Sequence, residues 1–233
     1  RIIERTDDGS ATLFVPELNE HYHSTKGART ESQHIFIDMG LKASPAATPR
    51  VLEIGFGTGL NAWLTLEEAE RSRRNIHYIG LELYPLDWQT VEQLGYISSD
   101  EQLTIHRKQT TTDEQFTPNE EKQQSAIELF KQLHTSPWEK DVQLTPHFTL
   151  RKIETDVNKW RVENSPFNLV YFDAFAPEKQ PEMWSQELFN RLYVLLDRDG
   201  ILTTYCAKGV VRRMLQTAGF TVERLPGPPG GKR

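Results

Sequence analysis

The sequence predicts an α/β protein built on a doubly wound, mostly parallel sheet, with an N-terminal β hairpin or lid in front of it. Three observations carry this expectation. A short apolar strand, Arg50–Ile54, runs directly into the glycine loop Gly55-Phe56-Gly57-Thr58-Gly59, and a continuous apolar run of that length suits a strand buried on both faces. A helix-forming stretch and a second apolar strand follow the loop, which makes a βαβ unit with a right-handed crossover. Apolar strand patterns then return at His147–Ile153, Phe167–Phe172 and Gly200–Tyr205, with helical stretches around the last two, and that alternation is the signature of the class.

Taken in order, Ala11–Leu41 precedes the core and contains Thr12–Val15 and His34–Ile37, which read as short β segments around the polar stretch His21–Glu31. Residues 1–48 are therefore expected to form an extension or lid packed on a single globular unit of residues 49–233. Ala43–Pro49, with Pro45 and Pro49, is a connector. Leu60–Arg73 carries Leu60, Leu64, Leu66 and Ala69 and ends in a basic cluster, which complements a helix C-terminus. Ile76–Glu82 reads as the second core strand. The polar stretch 87–144 is weakly patterned, with helices predicted at Pro85–Leu94 and Glu120–Leu133 joined through the Thr110–Thr112 region. Two further helices are predicted at Met183–Leu196 and Lys208–Ala218, and no internal repeat is present.

Composition narrows the functional classes. The chain has 233 residues, 37% hydrophobic and 26% charged, and no apolar run approaches the roughly 20 residues that span a bilayer. Its single cysteine, Cys206, excludes an internal disulfide framework. That residue closes a strand pattern and reads as a small core side chain. With no basic-then-apolar leader, the expected location is cytoplasmic. A formal net charge of −6 argues against coating nucleic acid with the whole surface. From Tyr205 onward, however, Lys208, Arg212, Arg213, Arg224, Lys232 and Arg233 face a single acid, Glu223. Such a cluster is either a solvated tail or a phosphate-binding face. The histidines and acids show no metal-ligand spacing, so no metal is expected.

In an open α/β sheet a nucleotide-type ligand sits outside the C-terminal strand ends, so the diagnostic residues belong just past each strand. Gly55, Gly57 and Gly59 let the backbone turn tightly and approach a ligand at the next helix's N-terminus. A dinucleotide fingerprint requires its third glycine at position 60, which is Leu60. The loop is G-x-G-x-G, with Glu53 two residues before its first glycine. It resembles the pattern of class I (Rossmann-like) S-adenosylmethionine-dependent methyltransferases, in which that acid lies near the methionine end of the cofactor; a plain tight turn beside a buried acid would leave the same trace. Glu82 ends the second strand, where a carboxylate can accept from both ribose hydroxyls, although NAD enzymes place an acid there too. Asp156 follows the third strand, placed to accept from an adenine amino group or to cap a helix starting near Val157. At the fourth, Tyr171-Phe172-Asp173-Ala174-Phe175-Ala176-Pro177 sets an acid beside aromatics and a proline-stiffened loop. A carboxylate there can accept a proton from an attacking amine; a loop capped and packed on the core is the structural alternative.

The runs Phe172–Pro177, Pro181–Trp184, Gly209–Phe220 and Gly227–Arg233 resemble the methyltransferase domain of the MnmC family, which completes 5-methylaminomethyl groups on the wobble uridine of tRNA. The likeness extends from about Tyr22 to the end and is weakest between Leu86 and Leu144. It implies S-adenosyl-L-methionine as cofactor, held by Glu53, Gly55, Gly57, Gly59, Glu82, Asp156 and Asp173, with Asp173 as the proton acceptor. Ala174 stands where the family usually shows glycine. Phe175, Pro177 and Trp184 are expected at the substrate base, and Arg212, Arg213, Lys232 and Arg233 at the flanking phosphates of the tRNA anticodon region. The resemblance implies a stand-alone N-methyltransferase of 5-aminomethyl(-2-thio)uridine, without the flavin-dependent oxidase domain of bifunctional relatives. A small-molecule methyltransferase, an aminopropyl-transferring enzyme and a non-catalytic RNA-binding partner are the alternatives on this fold; acids at every strand end argue against the last.

Overall fold

The computed structural model describes residues 2–5, 11–15, 20–21, 27–106, 121–162 and 166–228. Its centre is a six-stranded sheet made of β4 (Arg50–Ile54), β5 (Ile76–Glu82), β8 (Val142–Thr145), β9 (Phe148–Glu154), β10 (Phe167–Phe172) and β11 (Leu196–Thr204). The order across the sheet is β11-β10-β4-β5-β9-β8. Every pair is parallel except β8 against β9, which is antiparallel. The chain thus travels from β4 outward through β5 and β9, then returns to lay β10 on the opposite side of β4, as expected for a doubly wound sheet.

Helices cover both faces, so the central strands β4, β5 and β10 are buried on each side. On one face Trp63, Tyr78, Phe130, Phe148 and Tyr171 form a cluster; on the other are Leu52, Ile54, Phe172, Trp184 and Phe189. Successive residues of β4 alternate between them, Val51 into the first and Leu52 into the second, as the two-residue period of a strand requires. The helix after the glycine loop is α2 (Leu60–Ser72), and its Leu60, Leu64, Leu66 and Ala69 are all buried. Farther along lie α5 (Gln186–Leu195) and α6 (Gly209–Ala218).

The N-terminal segment departs from expectation. Thr12–Val15 does lie in a strand, β2 (Ala11–Val15), but its partners are β1 (Ile2–Arg5) and β3 (Glu20–His21). His34–Ile37 is helical: α1 (Ala28–Ser32) runs straight into a π-helical stretch, Gln33–Leu41. Its buried positions, Ala28, Ser32, Phe36, Ile37, Gly40 and Leu41, recur at helical spacing along the whole segment, whereas four apolar-rich residues in isolation mimic a strand.

Three more boundaries move. The Pro85–Leu94 helix contracts to α3 (Trp88–Glu92), started by Asp87, whose carboxylate accepts from the Thr90 N–H at 2.7 Å. The Glu120–Leu133 helix divides: polar Glu121–Ser125 is β7, antiparallel to β6 (Gln102–His106), and α4 (Ala126–Thr135) begins where Ala126, Leu129, Phe130 and Leu133 supply a buried stripe. The Thr110–Thr112 region lies outside the described residues. Met183–Leu196 becomes a 3-10 turn, Pro181–Met183, followed by α5, and β11 starts four residues before Gly200.

Candidate active site

The order of strands reverses between β4 and β10, and a crevice opens outside their C-terminal ends, where open α/β sheets bind ligands. It holds a cavity of about 530 Å³, a size suited to a small ligand. Gly55, Gly57, Asn61, Glu82, Asp156 and Asp173 are among the residues on its wall. A larger, shallower hollow of about 980 Å³ lies beside α1, α2 and β6. Its charges satisfy one another in the pairs Arg29–Glu67, Lys42–Asp38 and Arg71–Glu68, and no glycine loop faces it.

The loop is pinned before it turns. Gly55 and Phe56 donate their N–H groups to the Leu81 carbonyl at 3.1 and 2.9 Å, and Asp173 donates to the Ile54 carbonyl at 3.0 Å. Gly55 has φ +88, and a Cβ there would lie 2.7 Å from the Asp173 carbonyl oxygen. Gly59 has φ +76 and would meet His134 Nε2 at 2.7 Å. Both positions therefore require glycine, for conformation and for space. His134 is held neutral, pushed down to about 3 by burial and the nearby Lys152 charge.

Behind the loop, the Asn61 side chain in the first turn of α2 joins two acids. Its Nδ2 donates to Glu53 Oε2 at 2.8 Å and to Asp173 Oδ2 at 2.9 Å. Glu53 is fully buried and stands behind Asn61 rather than on the cavity wall. Burial, reinforced by the Asp173 charge, pushes its carboxyl well above the usual range. The Tyr78 hydroxyl favours its ionised form without reaching hydrogen-bond geometry. Asp173 is half-buried and opens on the cavity. Desolvation raises it to about 7, with the Glu31 and Glu82 charges adding to the shift and the Asn61 bond opposing it.

The remaining expected residues divide. Glu82 and Asp156 both line the cavity. Asp156 Oδ1 also accepts from the Asn158 N–H at 2.9 Å, so it caps a turn, not a helix. Phe175 lines the cavity, whereas Pro177 and Trp184 do not. Trp184 is buried among Phe172, Phe189 and Tyr205 and donates its Nε1–H to the Phe175 carbonyl at 2.7 Å, bracing the loop from behind. Its large ring fills the core beneath β10, which is why it is not on the wall. Arg212 and Arg213 are exposed, the fourth and fifth residues of α6. The residue before that helix, Lys208, pairs with Glu178 of the post-β10 loop, so both arginines sit at the end of α6 nearest the cavity rim. Lys232 and Arg233 lie outside the described residues.

Sequence reasoning missed Asn61, Glu31 and Tyr205. Asn61 had a usable signal, a polar residue in the first helical turn after the glycines. Glu31 lines the cavity only because its segment is helical, and Tyr205 does so while its hydroxyl donates to the Ala174 carbonyl at 2.6 Å.

Chemically, the wall is rich in acceptors. Glu31, Glu82, Asp156 and Asp173 line it, and the buried Asn61 Oδ1 has no hydrogen-bond partner among the described residues. This set fits a ligand with a positive centre and several hydroxyl or amino donors. Among the described residues no helix is long and apolar enough to cross a membrane. Nor is any group of three or more His, Cys, Asp or Glu side chains placed to hold a metal ion.

Comparison with known proteins agrees with this chemistry. A family described as S-adenosyl-L-methionine-dependent methyltransferase matches residues 117–233. The tRNA 5-methylaminomethyl-2-thiouridine biosynthesis bifunctional protein MnmC of Cupriavidus metallidurans is 30% identical over 98% of this chain and 32% of its own length. Its counterpart in Burkholderia multivorans is 28% identical over 96% of this chain and 32% of that protein. The chain thus spans about a third of the curated relatives it matches. The crystal structure of MnmC2 from Aquifex aeolicus shares the fold, with a TM-score of 0.67 and 24% identity over 94% of this chain and 64% of that one.

Proposed function

The chain belongs to the S-adenosyl-L-methionine-dependent methyltransferase family, and from that membership we propose that it N-methylates 5-aminomethyl(-2-thio)uridine at the tRNA wobble position, giving 5-methylaminomethyl(-2-thio)uridine. The observation that carries the reading is Asp173, a cavity carboxylate at the end of β10 whose carboxyl is raised to about 7. A group with that affinity takes up a proton near neutral pH, as N-methylation of an amine requires. The names of the MnmC relatives support the choice of acceptor.

When bound, S-adenosyl-L-methionine supplies a methyl group on a cationic sulfur. The chain's own residues do the rest. Gly55 and Gly57, on the cavity wall, would admit the cofactor against the start of α2, whereas Gly59, expected to join them, lies off the wall against His134 and turns the loop into the helix. Glu82 accepts from ribose hydroxyls and Asp156 from the adenine amino group, while Glu53 acts from behind, through Asn61. Asp173 receives the proton of the acceptor amine and holds it at its carboxylate as the amine nitrogen takes the methyl. Phe175 flanks the uracil ring, and Trp184 and Pro177 support that loop. Arg212 and Arg213, joined by Lys232 and Arg233, hold phosphates flanking a base that leaves its stack to enter. Residues 1–48 serve as an extension on a core of 49–233, contributing Glu31 to the site.

The test is incubation with labelled S-adenosyl-L-methionine and tRNA lacking the final methyl, followed by digestion and identification of the labelled nucleoside. Label in 5-methylaminomethyl(-2-thio)uridine is expected. Label appearing only in small amines would replace the acceptor and leave the methyltransferase assignment standing.

A further inference from the structure

The amide of Asn61 stands where the fold brings together two acids from the C-terminal ends of adjacent strands. Glu53 belongs to β4 and Asp173 follows β10, strands adjacent in the sheet and distant in the chain. The Asn61 Nδ2 carries two N–H groups and faces two carboxylate oxygens, Glu53 Oε2 at 2.8 Å and Asp173 Oδ2 at 2.9 Å. Its orientation is the one that sets the amide nitrogen, with two N–H donors, against both acids, each of which keeps an acceptor oxygen whether or not it carries a proton. The side chain is 2% exposed, so its position is set by packing rather than solvent. One turn later the Thr65 hydroxyl donates to the Asn61 carbonyl at 2.7 Å and contacts the Tyr171 hydroxyl at 3.1 Å. That anchors this turn of α2 to β10.

The two oxygens of Asp173 are therefore unequal. Oδ2 accepts from Asn61, and Oδ1 is the oxygen without that bond, on a residue that lines the cavity. A carboxylate without the Asn61 bond would rotate about its side-chain torsion and present either oxygen.

We propose that Asn61 is a positioning residue, which fixes the Asp173 carboxylate by holding Oδ2 and so presents Oδ1 to the acceptor amine. Glu53 is its counterweight, fixing the amide's other N–H so that it cannot turn away from Asp173. The arrangement also sets the proton affinity of Asp173, because a hydrogen bond donated to a carboxylate favours its ionised form. The proposal rests on the reading of Asp173 as proton acceptor, but its consequence for Asp173 itself does not depend on which substrate is methylated.

The test is a ¹³C NMR titration of aspartate-labelled protein without cofactor, with Asp173→Asn used to assign the Asp173 carboxyl resonance. The wild-type midpoint is expected near the value of about 7 set by its surroundings. In Asn61→Ala it should move up by about one pH unit, the size expected on losing a hydrogen bond to a charged group. Asn61→Ser, whose hydroxyl donates only once, should fall between them and keeps the test available if the alanine variant unfolds. In the methyl-transfer assay the acid limb of kcat should move in the same direction, with kcat at pH 7 down about tenfold or more. An unmoved NMR midpoint in both variants would overturn the proposal. A moved midpoint with no methylation of tRNA would leave it standing and overturn the choice of acceptor.

Discussion

Gly55 and Asp173 meet backbone to backbone across the β4–β10 junction: a Cβ at position 55 would lie 2.7 Å from the Asp173 carbonyl oxygen. The first glycine of the loop is thus demanded by the neighbouring strand as well as by its own φ of +88.

Gly55→Ala should lower stability by roughly 2 kcal/mol or more, since both the left-handed backbone and the close approach must relax. It should also weaken S-adenosyl-L-methionine binding, because relaxation displaces the loop backbone that lines the cavity. Urea unfolding and calorimetry measure the two, and an alanine variant with unchanged midpoint and affinity would contradict the close approach.

Asp173 makes opposite demands on stability and activity. Its carboxyl is raised from 3.8 to about 7, so across that window the folded chain keeps a proton the unfolded chain has released. Stability should therefore fall as pH rises from about 4 to 7, and Asp173→Asn should flatten that slope in denaturant melts. Activity runs the other way, rising with pH as the carboxylate fills, and the limb should lie lower once a cationic cofactor is bound. Asp173→Asn should reduce methyl transfer by about 10²–10⁴-fold with cofactor affinity changed only a few-fold. A variant retaining normal turnover would remove Asp173 from the chemistry.

Trp184→Phe keeps an aromatic ring against Phe172 and Phe189, with some loss of volume, and strips the Nε1–H that the Phe175 carbonyl accepts at 2.7 Å. Losing that hydrogen bond should cost about 0.5–1.5 kcal/mol. Because Trp184 acts through Phe175, the KM for tRNA should rise more than the Kd for cofactor. Equal effects on both would point to a general loosening of the core.

Arg212 and Arg213 are exposed, so replacing both with alanine should leave stability within about 0.5 kcal/mol. The tRNA KM should rise, and its logarithmic salt dependence should flatten by roughly 0.7 or more for each phosphate no longer neutralised. An unchanged salt slope would move the tRNA face away from α6.

Where the sequence misleads, the cause is the length of the window. His34–Ile37 looks like a strand over four residues, and only the burial of Ala28, Phe36 and Leu41 together reveals the helix. Glu121–Ser125 has almost no apolar signal, and its strand exists because β6 pairs with it. Trp184 is expected beside the substrate from its place after a proline-stiffened loop, but it fills the space under Phe172 and Phe189.

Strands β4, β5, β9 and β10, the glycine loop and the acids that end the strands are all determined by the sequence alone. A buried parallel strand is a continuous apolar run, and a glycine turn is a local demand, so both are written in neighbouring residues. Tertiary structure decided that Asn61 bridges Glu53 and Asp173, that Glu31 reaches the cavity, and that Glu53 stands behind its wall. Those relations depend on β10 returning to lie beside β4 and on α1 packing against α2. The approach of distant segments is set by burying shared apolar faces, and no local pattern specifies which polar side chains that packing will bring together.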